Sequence, residues 1–324
     1  MGHHSGLYYY KDFKVKIKQE IPSEIDTNIV WPKLGISASI TTEFTNQDKS
    51  ERSKHHLIRM LYSCLVDADF LDTENFMDAE YSRLRNSKAT LAELAPKLDT
   101  YLDNISKNAT KNSLNTLRQQ IQSRCNDMAE AESGVFSLTV PTGGGKTLSS
   151  LVWAINHALK HGKKRIIIAI PYTSIVTQTA EILSNIFGRE NVLEHHSNND
   201  IQKIKDEKLQ WKMKLATENW DYPIIVTTNV QLIESMMSNK PSMGRKLHNM
   251  CNSVLILDEV QTLPLEHLQP IVDTLQTYQR IFGVSILFTT ASLPALRGDI
   301  CWGSSGKCKL RGIDKITEII PDEW

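Results

Sequence analysis

Apolar and polar positions change their rhythm near Glu132. Upstream, apolar residues recur at helical spacing. Leu57-Ile58-Arg59-Met60-Leu61-Tyr62-Ser63-Cys64-Leu65-Val66 predicts one helix, and a second amphipathic stretch runs from about Lys88 to Ile105. A third spans Ser113 to Met128 and places Leu114, Leu117 and Ile121 on one face. Residues 11–50 are mixed, broken by Pro22, Pro32 and Gly35, and carry no assignment.

From Gly134 onward short β-branched runs appear at Val135–Val140, Arg165–Ile170, Pro223–Thr227, Ser253–Leu257 and Val284–Phe288. Helical stretches separate them, notably Thr147–Lys160, Ser174–Phe187 and Leu265–Ile281. Strands that are apolar on both faces, with helices between them, predict a parallel α/β sheet. The chain shows no internal repeat and no low-complexity tract.

Composition adds bounds rather than identity. The 324 residues exceed one ordinary core and allow two domains. An apolar content of 40% and a charged content of 23% are those of a soluble globular protein. Basic and acidic side chains balance at 37 each, so any surface for nucleic acid must be local. The five cysteines are scattered, and the spacing of Cys301 and Cys308 fits neither a zinc knuckle nor a redox pair. They read as reduced thiols of a cytoplasmic protein. No apolar run approaches bilayer length and no signal-peptide core opens the chain, so no membrane is expected.

The clearest chemistry lies in Pro141-Thr142-Gly143-Gly144-Gly145-Lys146-Thr147, between the first β-run and the helix that follows. There backbone amides and a helix N-terminus converge on an anion, and glycines let the chain wrap a phosphate. Thr142, Gly143, Gly144, Gly145, Lys146 and Thr147 are the candidate ATP-binding residues. Lys146 would meet the β- and γ-phosphates and the Thr147 hydroxyl would ligate Mg²⁺. Val140 stands where the common P-loop pattern has its first glycine, so the match is a variant. Val254-Leu255-Ile256-Leu257-Asp258-Glu259 is an apolar strand ending in two carboxylates. Asp258 suits Mg²⁺ through water and Glu259 suits orientation of an attacking water. Lys146, Asp258 and Glu259 are therefore the candidate catalytic residues.

Five elements in this order resemble superfamily-two helicases. Asp258-Glu259-Val260-Gln261 is similar to their second motif, and Thr290-Ala291-Ser292 to the third, which implies coupling of hydrolysis to strand contacts. Ile170-Pro171-Tyr172-Thr173 and Thr227-Thr228-Asn229-Val230-Gln231 look like the two motifs that hold a single strand. The resemblance thus assigns Pro171, Tyr172, Thr173, Thr228 and Gln231 to nucleic acid. It also implies an adenine-reading glutamine upstream of the loop, which is either Gln119 or Gln120. The implied fold is an α/β RecA-like P-loop lobe preceded by an all-α partial HD domain.

More narrowly, the chain resembles the CRISPR-associated helicase-nucleases of type I systems. The carriers are the Asp258–Gln261 box, Thr290-Ala291-Ser292-Leu293-Pro294, Leu61–Phe70, which resembles a late HD-domain helix, and Gly2-His3-His4-Ser5-Gly6. The resemblance implies that His3, His4 and Asp69 are ligands of a divalent transition metal at a nuclease site. On the residues alone, the paired histidines read as tag-like or solvated and Asp69 as a helix cap. His55, His56, His195 and His196 read as polar surface. The implied partners are single-stranded DNA and a Cascade-type RNA-guided complex, in antiviral defence.

The expected division is an HD portion over 1–87, a helical connector over 88–131 and the first motor lobe over 132–324. The earlier HD elements and the second motor lobe, which supplies an arginine to the γ-phosphoryl, have no match. The expectation is Mg-ATP binding with poor turnover. Two other readings stay open: a P-loop regulator without a strand partner, and another superfamily-two helicase.

Overall fold

The computed structural model describes residues 51–86, 88–110, 112–197, 204, 206–291, 296–297, 299–302 and 308–321. His3, His4 and Ser292 lie outside the described residues. Two helices, α1 (Glu51–Met77) and α2 (Ala79–Arg83), precede α3 (Leu91–Asn108) and α4 (Ser113–Met128). Then strand and helix alternate: β1 (Val135–Thr139), α5 (Lys146–Lys160), β2 (Arg165–Ile170), α6 (Thr173–Phe187), β3 (Val192–His195), α7 (Glu207–Asn219), β4 (Ile224–Thr228) and α8 (Asn229–Met237). Two single turns, α9 (Pro241–Gly244) and α10 (Leu247–Met250), lead to β5 (Ser253–Asp258), α11 (Leu268–Ile281) and β6 (Ser285–Thr290). An antiparallel pair, β7 (Asp299–Trp302) with β8 (Cys308–Arg311), precedes the short β9 (Thr317–Glu318).

Seven strands form one parallel sheet in the order β3-β4-β2-β5-β6-β1-β9. Their side chains alternate between two cores. Ile167, Ala169, Ile225, Leu255, Leu257 and Phe288 join one core, against α8, α10 and α11. Ile166, Ile168, Val226, Ile256 and Leu138 join the other, against α3, α5 and α6. Burial on both faces is why these strands read as continuous apolar runs.

Helix α3 starts where Thr90 and Glu93 form a reciprocal capping box. Its inward stripe is Leu91, Leu94 and Leu98. Helix α4 keeps its expected span, Ser113–Met128, but turns a different stripe inward. Its buried residues are Ile121 and Cys125, while Leu114 and Leu117 are exposed.

Helix α1 is docked on the sheet's other side by its polar face. Arg59 donates to Met236 O at 2.8 Å and to Ser238 O at 2.7 Å. Asp67 pairs with Arg245 at 2.7 Å and accepts from Asn219 Nδ2 at 3.0 Å. His56 is not polar surface, because its ring packs edge-on to Tyr278, 6.1 Å between centroids. His195 accepts from Trp220 Nε1 at 2.8 Å, and His196 is buried beside Glu194. No described helix is long and apolar enough to cross a membrane.

Candidate nucleotide-binding site

β1 delivers the chain to Thr139, and residues 140–145 turn it into the first turn of α5. Gly143 and Gly145 both stand at φ 84°, a left-handed value that a side chain would strain. Gly144 is required for another reason: a Cβ there would lie 2.4 Å from Val140 Cγ1. The valine at the first-glycine position is thus accommodated by the glycine four residues on. Gly144 N donates to Pro141 O at 3.1 Å and closes the turn. The first-turn amides of α5 have no intrahelical acceptor by geometry, and the helix dipole adds positive potential at the same end.

The end of β5 faces this loop. Lys146 Nζ pairs with Glu259 Oε1 at 2.6 Å. Glu259 sits at φ 47°, an uncommon conformation for a residue with a side chain. Gln261 Nε2 donates to Glu259 Oε2 at 2.6 Å, and Thr290 Oγ1 donates to Gln261 Oε1 at 2.7 Å. Thr289 Oγ1 donates to Asp258 Oδ1 at 2.6 Å. A continuous chain of contacts therefore runs from the phosphate loop to the end of β6.

The two carboxyls are pushed apart. Burial raises the Asp258 pKa, against the opposing Thr289 hydroxyl and Lys146 charge. Burial acts to raise Glu259 as well, but hydrogen bonds from Lys146 and Gln261 outweigh it and hold that carboxyl below its usual range. Hard oxygen donors, the exposed Thr147 hydroxyl and the Asp258 carboxylate, suit Mg²⁺. A half-buried acid with a raised pKa is one that a divalent cation would return to its ionised form, so these residues fit the ion. Together the loop, Lys146 and the acids could hold a magnesium-bound triphosphate and position water.

The described residues do not build the second metal site. No group of three or more His, Cys, Asp or Glu among them is placed to hold a metal. Asp69 is an exposed residue of α1.

The remaining candidates lie along the same edge of the sheet, where the strands end. Pro171, Tyr172 and Thr173 follow β2, with Tyr172 61% exposed. Thr228 ends β4 and caps α8, its hydroxyl accepting from Gln231 N at 3.0 Å. Val230, between them, is exposed. In the sheet order, β2 and β4 lie on one side of β5, and β6 and β1 on the other. That places Pro171, Tyr172, Thr173 and Thr228 on one side of Asp258 and Glu259, and the glycine loop and Thr290 on the other. Ala291 follows Thr290 and is exposed. On α4, Gln119 and Gln120 are both exposed, and Gln119 Nε2 donates to Ser106 Oγ at 3.2 Å.

Sequence reasoning missed several participants. Arg118 donates to Gly143 O through Nε and Nη2. Thr289 holds Asp258, and buried Asn229 donates to Asp258 O at 3.4 Å. Asn229 and Arg118 flank candidate residues, but nothing in their spacing shows where their side chains turn.

The profile described as DEAD/DEAH box helicase matches residues 119–298. A putative CRISPR-associated nuclease/helicase Cas3 of Methanocaldococcus jannaschii is 32% identical over 186 residues, covering 52% of this chain and 24% of its own. The CRISPR-associated nuclease/helicase Cas3 of Haloferax volcanii is 27% identical over 186 residues, covering 51% of this chain and 20% of its own. The chain thus spans about a fifth to a quarter of the length of these curated relatives. The crystal structure of T. fusca Cas3 with ATP covers 64% of this chain and 22% of its own, at 17% identity and a TM-score of 0.46.

Proposed function

The chain belongs to the DEAD/DEAH box helicase family, and from that premise we propose that it is the ATP-binding first lobe of a motor that moves along single-stranded DNA in CRISPR interference. The observation that carries this reading is the meeting of Lys146 with Glu259 beside Asp258, across a glycine loop at a helix N-terminus. Lys146 and residues 142–147 bind the phosphates, Asp258 and Thr147 hold Mg²⁺, and Glu259 orients water. Gln119 or Gln120 reads adenine.

Thr290, Ala291 and Ser292 pass the state of the nucleotide to the residues that hold the strand. The contact from Thr290 through Gln261 to Glu259 supports that role. Pro171, Tyr172, Thr173, Thr228 and Gln231 grip the DNA backbone. The similarity to Cas3 proteins supports a cytoplasmic partnership with an RNA-guided Cascade-type complex. We also read residues 1–87 as an HD nuclease portion in which His3, His4 and Asp69 ligate a divalent metal, 88–131 as a connector and 132–324 as the motor lobe, in line with the nuclease/helicase description of the Cas3 relatives.

Filter binding of labelled single-stranded DNA at two salt concentrations tests the strand partner. Binding should be weak and should fall with salt, by about 0.7 in the logarithmic slope per phosphate contacted. A chain that binds Mg-ATP yet retains no DNA at low salt would be a nucleotide-binding module without a strand partner.

A further inference from the structure

Arg118, on α4, reaches the phosphate loop with its charged end. Its Nε and Nη2 both donate to Gly143 O, at 3.0 and 2.7 Å. Its Nη1 donates to Asn115 Oδ1 at 3.2 Å, one turn back on the same helix. Its stem lies along the loop, where a Cβ on Gly145 would stand 3.3 Å from Arg118 Cγ.

The peptide between Gly143 and Gly144 is consequently fixed at both ends. Its carbonyl accepts from Arg118, and its N–H donates to Pro141 O. Because a peptide is planar, neither end turns without the other. A run of three glycines has the backbone freedom to rotate such a plane. A carbonyl rotated inward would set a negative partial charge against an incoming phosphate. Two donors from one guanidinium, each charge-assisted, hold that oxygen on the α4 side.

We propose that Arg118 is a positioning residue for the nucleotide, locking the Gly143 carbonyl outward and so keeping the phosphate cradle ready to bind. This deepens the ATP-site reading above and rests on it. Arg118 acts on the loop, so its effect is blind to the base. ATP, GTP and bare tripolyphosphate lose affinity alike when it is removed. A residue that touched adenine would weaken ATP and leave tripolyphosphate unchanged.

The test is calorimetric titration of Mg-ATP, Mg-GTP and Mg-tripolyphosphate into the 324-residue chain and its Arg118→Ala and Arg118→Lys variants, with thermal unfolding of each free protein. Arg118→Ala should weaken all three ligands by the same factor, about tenfold, with little change in melting temperature. Arg118→Lys keeps the stem and the charge but not the fork, so it should also weaken all three alike. It carries the test if the alanine variant fails to fold. Wild-type affinity in both variants, or a loss confined to ATP, would overturn the assignment. So would a uniform loss in the lysine variant matched by a large drop in its melting temperature, which would make Arg118 a folding residue. A wild-type chain that binds none of the three ligands overturns the ATP-site reading itself, and this inference with it.

Discussion

Lys146 Nζ lies 2.6 Å from Glu259 Oε1, so the lysine assigned to the phosphates is already held by the carboxylate assigned to water. Binding a triphosphate requires that pair to open. A partly exposed ion pair is worth less than about 1 kcal/mol, so the cost is modest. Glu259→Gln removes the charge and should bind Mg-ATP about threefold tighter. Equilibrium titration with a fluorescent ATP analogue reads the change. Unaltered or weaker binding would show that the pair does not compete with the nucleotide.

Gly144→Ala should abolish nucleotide binding, because the added Cβ would stand 2.4 Å from Val140 Cγ1. Removing the clashing methyls should restore part of it. The same titration on Gly144→Ala with Val140→Ala checks this coupling. Full binding by the single variant would contradict the contact.

Asp67→Ala should destabilise the fold by roughly 1–3 kcal/mol, since it takes the nearer of two carboxylates from the buried Arg245 guanidinium and leaves Glu218 at 3.1 Å. Asp69→Ala, at an exposed position two residues away, should cost no more than about 0.5 kcal/mol. Urea midpoints of the two variants separate the roles. Equal effects would mean that the Asp67 pair does not fasten α1 to the lobe.

Stability should fall in mild acid through neutral, buried histidines. His157 stacks on Trp153 and contacts Ala129 O at 2.9 Å and Ser285 Oγ at 2.8 Å. Burial lowers its pKa to about 4. An unfolded chain takes up that proton near pH 6.5, whereas the folded chain resists it. The stabilising contribution is therefore complete above about pH 6.5 and is lost as pH falls toward about 4. His157→Gln should flatten this part of the melting-temperature profile. An unchanged slope would show that His157 does not carry the acid sensitivity.

The five long strands were legible because both faces of each are buried, which writes unbroken apolar runs. β3 was not, since Val192-Leu193-Glu194-His195 is a four-residue edge strand whose last two side chains are only half-buried. β9 is two residues long and has no pattern to read. The glycine loop and Asp258-Glu259 were legible because local sequence alone sets that chemistry. Helix α1 was legible as a helix, but its docking face was not. Its apolar Leu61 and Leu65 are 50% and 59% exposed, while Arg59, Ser63 and Asp67 are buried. Their partners, Met236, His248 and Arg245, are more than 170 residues away, beyond any window of periodicity. Arg118 is illegible likewise, because its role depends on where the Gly143 carbonyl points.

A titration of a fluorescent ATP analogue, with and without Mg²⁺, against the wild-type chain and Lys146→Ala tests the ATP site itself. The ATP-site assignment predicts saturable, Mg²⁺-dependent binding by the wild type. In Lys146→Ala it predicts a loss of at least about thirtyfold, the scale of a lost charge-assisted phosphate contact. Equal binding by both proteins, or none by the wild type, would contradict it.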